Sequence, residues 1–205
     1  SDVLPTGLAV VMRDKTGENQ IVVASGANSE VNAEQVPDEI LKTGNYVLMQ
    51  MEIPLAQNLA VMERARAHGA KTILNLSPAL KIPRAALPFV DYLVLNEIEA
   101  GHIAKSLGLD ISKDARVMAQ AVAREGNLTC IITLGGQGVV AANAQGRGWF
   151  VPAMKLDQVI DTTGAGDCFG GTLAACLHNG NSLSDAMRRA SVAAGLSCLK
   201  KGIHD

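Results

Sequence analysis

Tyr92-Leu93-Val94-Leu95-Asn96-Glu97-Ile98-Glu99 passes from a continuous apolar run straight into a polar helix opening. The run is too short for a buried helix and lacks the alternation of a half-exposed strand. It reads as a strand covered on both faces. Asn at a cap position with Glu three residues later is what starts a helix, which the pattern predicts over about 97–107. The same texture recurs at Tyr46-Val47-Leu48-Met49-Gln50, Thr72-Ile73-Leu74-Asn75 and Thr129-Cys130-Ile131-Ile132-Thr133. Helical patterns at 55–68, at 78–90 with prolines punctuating it, and at 113–125 lie between these runs. Strands alternating with helices predict βαβ units, hence an α/β fold with a mostly parallel sheet and helices on both faces. Before this region, 7–12 and 20–24 flank a polar turn and predict a hairpin. After it, 139–151 reads as an antiparallel appendage, and two helices are expected near 166–178 and 182–199.

Composition limits the function classes. Of 205 residues, 48% are hydrophobic but only 3% aromatic, so the core is aliphatic. Lys and Arg total 18 against 20 Asp and Glu, with no basic block, which argues against nucleic acid or an anionic membrane as partner. No apolar run reaches the roughly 18 residues of a membrane span, and the first residues do not read as a signal peptide. Cys130, Cys168, Cys176 and Cys198 lack CxxC spacing and the histidines lack paired spacing. Reduced thiols in a cytoplasmic protein are expected, with no His/Cys metal site.

Parallel sheets bind ligands beyond the carboxyl ends of their strands. Asn96-Glu97-Ile98-Glu99 and Thr133-Leu134-Gly135-Gly136-Gln137-Gly138 lie at such ends, and Asp161-Thr162-Thr163-Gly164-Ala165-Gly166-Asp167 opens a helix. In the last, near-absent side chains at 164–166 would let a phosphate approach the free amides and positive dipole of a helix start. Asp167 in the same turn would suit a general base for phosphoryl transfer. A Gly-rich turn followed by a dipole-favoured acid explains the same residues equally well. The pattern is neither a Walker loop nor a dinucleotide fingerprint. Asn96 and Glu99 admit a plain capping reading, Gly135 and Gly138 a tight turn, and Glu52 an exposed loop carboxylate.

Asp161-Thr162-Thr163-Gly164-Ala165-Gly166-Asp167-Cys168-Phe169 resembles the C-terminal signature of the ribokinase family, the PfkB-type carbohydrate kinases. Gly26-Ala27-Asn28, Glu52, Asn96-x-x-Glu99, Thr133-x-Gly135-x-x-Gly138 and Lys200-Lys201-Gly202 follow in the family's order, so the resemblance spans essentially the whole chain. It implies a ribokinase-like three-layer sandwich, with residues 1–28 forming part of a β lid hairpin and its return, and 29–205 the α/β core. It implies Asp167 as catalytic base and contact to the sugar, and the amides of Gly164, Ala165 and Gly166 as anion hole. Asn96, Thr133, Gly135, Gly138 and Gly166 would bind nucleotide, and Glu52 would contact the sugar. Glu99 would hold Mg²⁺ through water. K⁺ would be held by Asp161, Thr163, Ser197, Lys200 and Gly202, all but Asp161 through backbone carbonyls.

The implied activity is ATP-dependent phosphorylation of a sugar. D-Ribose is favoured by Gly26-Ala27-Asn28 together with Met49-Gln50-Met51-Glu52. Fructose, 2-keto-3-deoxygluconate and nucleosides are the alternatives within the family, and a non-catalytic nucleotide-binding remnant is the alternative outside it. A cytoplasmic homodimer joined through the lid is expected. The sequence departs from the family by starting within the lid hairpin and stopping just after Gly202, which suggests truncation at both ends. Ser191 also stands where relatives often carry Asn near the adenine, and Asn75-Leu76-Ser77-Pro78 loosens a family motif.

Overall fold

The apolar runs pair into one sheet because each is flanked by a helix that returns the chain to the same edge. The structure, a computed structural model, describes residues 3–13 and 19–202, with side chains at 11–13 and 19–21 left aside. A two-stranded antiparallel sheet comes first, β1 (Leu8–Arg13) against β2 (Asn19–Ala24), with Val10 opposite Val22. Short 3₁₀ turns carry the chain to the main sheet. There β3 (Tyr46–Met49), β4 (Lys71–Asn75), β5 (Tyr92–Asn96) and β6 (Thr129–Thr133) are parallel neighbours in chain order. The antiparallel strands β7 (Val139–Asn143) and β8 (Gly148–Val151) extend the same sheet rather than forming an appendage.

The inner strands β4 to β7 are buried on both faces, as their unbroken apolar character requires, while Leu48 of β3 and Phe150 of β8 stay exposed at the sheet edges. On one face, Leu74, Leu93, Leu95, Cys130 and Ile132 meet helices α1 (Leu55–His68), α2 (Glu97–Ser106) and α3 (Ala115–Gly126). On the other, Ile73, Val94 and Ile131 meet α4 (Ala165–His178) and α5 (Leu183–Ser197). Leu93 and Val94, adjacent in sequence, thus belong to opposite layers, as a period of two demands. Fully burying each Leu or Ile of these layers contributes roughly 1.5–3 kcal/mol. The fold is a ribokinase-like three-layer α/β sandwich with a small β hairpin.

The buried face of α1 is Asn58, Val61, Met62 and Ala65, at helical spacing. Asp114 caps α3 by accepting the Arg116 amide at 2.8 Å, and the Ser182 hydroxyl caps α5 by accepting that of Asp185 at 3.2 Å. The stretch 78–90 forms only a 3₁₀ segment at Arg84–Phe89. Pro78, Pro83 and Pro88 each remove a backbone donor, which prevents a full α-helix. At the amino ends of the strands, the Asp91 carboxylate accepts the Thr72 amide (2.9 Å) and the Lys71 ammonium (2.7 Å), pinning β4 to β5.

All four cysteines are free thiols, and burial pushes the Cys130 thiol well above its ordinary value. Among the described residues, no helix is long and apolar enough to cross a membrane. Val10 and Val22 are exposed on the hairpin, while the Met12 side chain and residues 14–18 of the turn lie outside the described residues.

Candidate active site

Parallel pairing of β5 with β6 places Asn96 directly beside Thr133 at the carboxyl edge of the sheet. Each then begins a different structure. Asn96 caps α2, its side-chain oxygen accepting the Glu99 amide at 2.8 Å while Glu99 Oε2 accepts the Asn96 amide at 2.7 Å. The capping box anticipated from sequence is therefore formed. It holds Glu99 almost entirely buried, and burial raises the carboxyl pKa against the lowering effects of the Asn96 amide, the Ser77 hydroxyl and His102.

Thr133 leads into a tight turn in which Leu134 N–H donates to Gly138 O (2.8 Å) and Gly138 N–H to Gly135 O (3.1 Å). Gly138 sits at φ +112°, where a Cβ would collide with the Val151 carbonyl and lie 2.8 Å from Ala153 N. Only glycine fits this position. The turn borders a cleft of about 250 Å³ that also takes in Ala165 and Gly166 at the start of α4. Five residues singled out from sequence, Thr133, Gly135, Gly138, Ala165 and Gly166, therefore line one cavity.

The start of α4 is set by Gly164, left-handed at φ +74°. That turn swings the Ala165 amide onto Thr162 O at 3.2 Å, and the first helical bond is Cys168 N–H to Gly164 O at 2.9 Å. Of the three amides expected to form an anion hole, that of Ala165 is thus already engaged. The amides of Gly166 and Asp167 belong to the helix's orphan first turn. Asp167 follows Gly166 immediately, in the first turn of α4, with its side chain exposed.

Asp161 organises the segment before this turn. Its Oδ1 accepts the Thr163 amide (2.9 Å) and hydroxyl (2.7 Å), and its Oδ2 accepts the Gly202 amide at 3.1 Å. Cys198 O accepts the Ile160 amide at 2.9 Å, and Lys200 N–H donates to Ser197 O at 3.4 Å. Asp161, Thr163 and Gly202 are therefore brought together, with Ser197 and Lys200 on the same turn after α5. Glu52 lies apart from the cleft, exposed in the loop after β3, where its amide donates to Gln50 Oε1 at 2.8 Å.

Ser191, noted from sequence as standing near the adenine in relatives, also lines the cleft, but the remaining walls escaped the sequence reading. Met154, Leu156 and Val159 come from the aperiodic loop between β8 and α4, and Ala194, Gly195 and Cys198 from the end of α5. The available signal was the run of small residues Ser191, Ala194, Gly195 and Cys198 at helical spacing. Among the described residues, no group of three or more His, Cys, Asp or Glu side chains converges to hold a metal ion.

Comparison with known proteins agrees with this geometry. The family model of the pfkB family carbohydrate kinases matches residues 2–205. A ribokinase of Schizosaccharomyces pombe is 31% identical over 205 residues, covering 96% of this chain and 63% of the relative. One of Lactococcus lactis is 34% identical, covering 90% and 58%. The structure of Arabidopsis thaliana ribokinase complexed with ribose and ATP superposes with a TM-score of 0.84 at 30% identity, covering 98% of this chain and 65% of that one. The chain therefore spans about three fifths of the length of the curated relatives it matches.

Proposed function

The chain belongs to the pfkB family of carbohydrate kinases, and from that premise we propose that it is the larger part of an ATP-dependent sugar kinase forming D-ribose 5-phosphate from D-ribose. The observation that carries this reading is the single cleft joining the Thr133–Gly138 turn to the start of α4, with Asp167 one residue beyond it. The relative solved with ribose and ATP supports both substrates. The hairpin within 1–28 is read as part of the lid and 29–205 as the catalytic core, in a cytoplasmic homodimer joined through that hairpin.

In this reading the nucleotide lies along the cleft, its phosphates between Asn96 and the first turn of α4. Asp167 takes the proton from the sugar hydroxyl, whose oxygen attacks the γ-phosphorus. The bond to the β–γ bridging oxygen breaks and ADP leaves. The orphan amides of Gly166 and Asp167, with Gly164 shaping the turn, stabilise the charge on the transferring group. Glu52 contacts the sugar.

The residues present fit the implied cations. Glu99, tied down by its own cap, suits an outer contact through water rather than direct ligation, consistent with a divalent ion held mainly by phosphates. When bound with nucleotide, Mg²⁺ would neutralise phosphate charge. Carbonyls of Thr163, Ser197, Lys200 and Gly202, together with Asp161, would hold K⁺ at the turn where Asp161 already gathers Thr163 and Gly202.

The test is Asp167→Asn in the full-length gene product, with ribose phosphorylation and ATP binding measured side by side. Turnover should fall ~10²–10⁴-fold, the usual range for a general base, with nucleotide affinity nearly unchanged. A variant keeping more than about a tenth of wild-type kcat removes Asp167 from the mechanism.

A further inference from the structure

The cleft contains no charged side chain and no carboxamide. Its side-chain polarity consists of the hydroxyls of Thr133, Thr162 and Ser191, apart from the Cys198 thiol. The Thr133 hydroxyl donates to Leu95 O at 3.3 Å, and Thr162 belongs to the turn before α4, at the end assigned to phosphate. The Cys198 thiol donates to Ala194 O. Ser191 is therefore the hydroxyl left on the α5 wall, where Ala194 and Gly195 follow one turn later.

Met154 stands close to that wall: a Cβ added at Gly195 would lie 3.4 Å from Met154 Cε. Met154, Leu156, Val159, Ala194 and Gly195 give this end of the cleft an apolar lining, which suits a flat ring. In the neighbouring turn the amides of Leu134, Gln137 and Gly138 donate within 134–138.

Resting on the reading of this cleft as the nucleotide site, we propose that it accepts purine nucleoside triphosphates without distinguishing adenine from guanine or hypoxanthine, with Ser191 as the residue that leaves the choice open. The three bases share one bicyclic outline. They differ at the ring edge, where adenine presents an amine donor and guanine and hypoxanthine a carbonyl acceptor. A rotating hydroxyl both donates and accepts, so Ser191 satisfies either edge. A fixed carboxamide would also offer both functions, but in a set orientation that favours one edge. Strong rejection of an analogue arises when it leaves buried polar groups of the site unpaired, whereas an apolar slot discriminates weakly by shape.

The experiment measures Kd for ATP, GTP and ITP on the purified 205-residue chain by titration calorimetry with Mg²⁺ present. The three values are expected to agree within about fivefold, as weak shape discrimination allows. Ser191→Ala should weaken all three by a similar factor. Ser191→Asn should separate ATP from GTP by about tenfold or more. A wild-type preference for ATP over GTP beyond about thirtyfold overturns the inference while leaving the nucleotide site standing. Failure of all three to bind overturns the nucleotide reading itself, and this inference with it.

Discussion

Gly138→Ala tests whether the turn after β6 is held by contact with β8 and whether that contact shapes the cleft. The Cβ would collide with the Val151 carbonyl and stand 2.8 Å from Ala153 N, both backbone atoms that cannot rotate away. Val151 pairs with Val139, the next residue after Gly138, so relief requires opening the first rung of the β7–β8 ladder. The φ of +112° adds backbone strain of about 1–3 kcal/mol for a residue other than glycine. Overpacking against an immobile neighbour costs about 1–3 kcal/mol more. A combined loss of about 3 kcal/mol corresponds to a fall in Tm of roughly 6–12 °C for a chain of this size. Gly136→Ala is the matched control, because a Cβ there meets nothing within 4 Å and the residue borders the same cleft. It should shift Tm by no more than about 2 °C, as an unstrained surface substitution does. Thermal unfolding followed by circular dichroism reads both variants, and calorimetric titration with ATP reports the cleft. A Gly138→Ala protein melting within about 2 °C of wild type would refute the argument, since that leaves no room for the strain.

Three further outcomes are expected. Because burial raises the folded-state pKa of Glu99 above its unfolded value, protonated Glu99 favours the fold at low pH, and that advantage is lost as pH rises through the folded pKa. Glu99→Gln should therefore gain Tm relative to wild type as pH rises from the acid range, without nucleotide or Mg²⁺, and a difference that stays constant with pH excludes the burial argument. In the full-length gene product the same variant should need more Mg²⁺ for half-maximal rate, and an unchanged requirement leaves Glu99 as a cap alone. The hairpin carries Val10 and Val22 as exposed cross-strand partners, with Leu8 exposed on the same face. Sedimentation should find self-association at tens of micromolar that Val10→Lys weakens. A wild-type chain that sediments as a monomer there shows that this face is no interface.

What could be read from sequence follows from where the determining forces are local. Strands β3 to β6 came within a residue of their positions because each is a short apolar run, as did the starts of α2 and α5, capped by Asn96 and Ser182, while α3 starts two residues later than expected, after Asp114. The 78–90 stretch misled because its apolar spacing suggests a helix while its prolines limit it to a 3₁₀ turn. The cleft was half legible. Thr133, Gly135, Gly138 and Gly166 announce themselves by turn chemistry, but Met154 and Gly195 are ordinary residues whose role exists only once the β8–α4 loop folds against α5.

Asn96 and Glu99 show why one sequence pattern supported two readings. The 2.7 Å bond from the Asn96 amide occupies one carboxylate oxygen of Glu99, and the 2.8 Å bond from the Glu99 amide to Asn96 Oδ1 closes the box, fixing the side chain at the carboxyl end of β5. Those bonds make the pair a helix start, and they also hold a buried acid still beside the strand end where Asn96 meets Thr133. A carboxylate so constrained is poorly suited to wrapping a cation directly. It is well suited to ordering the water around one, because its position is set before any ligand arrives. Capping and cation binding are thus compatible roles for the same two side chains, and the pattern could not choose between them because the physical requirements coincide.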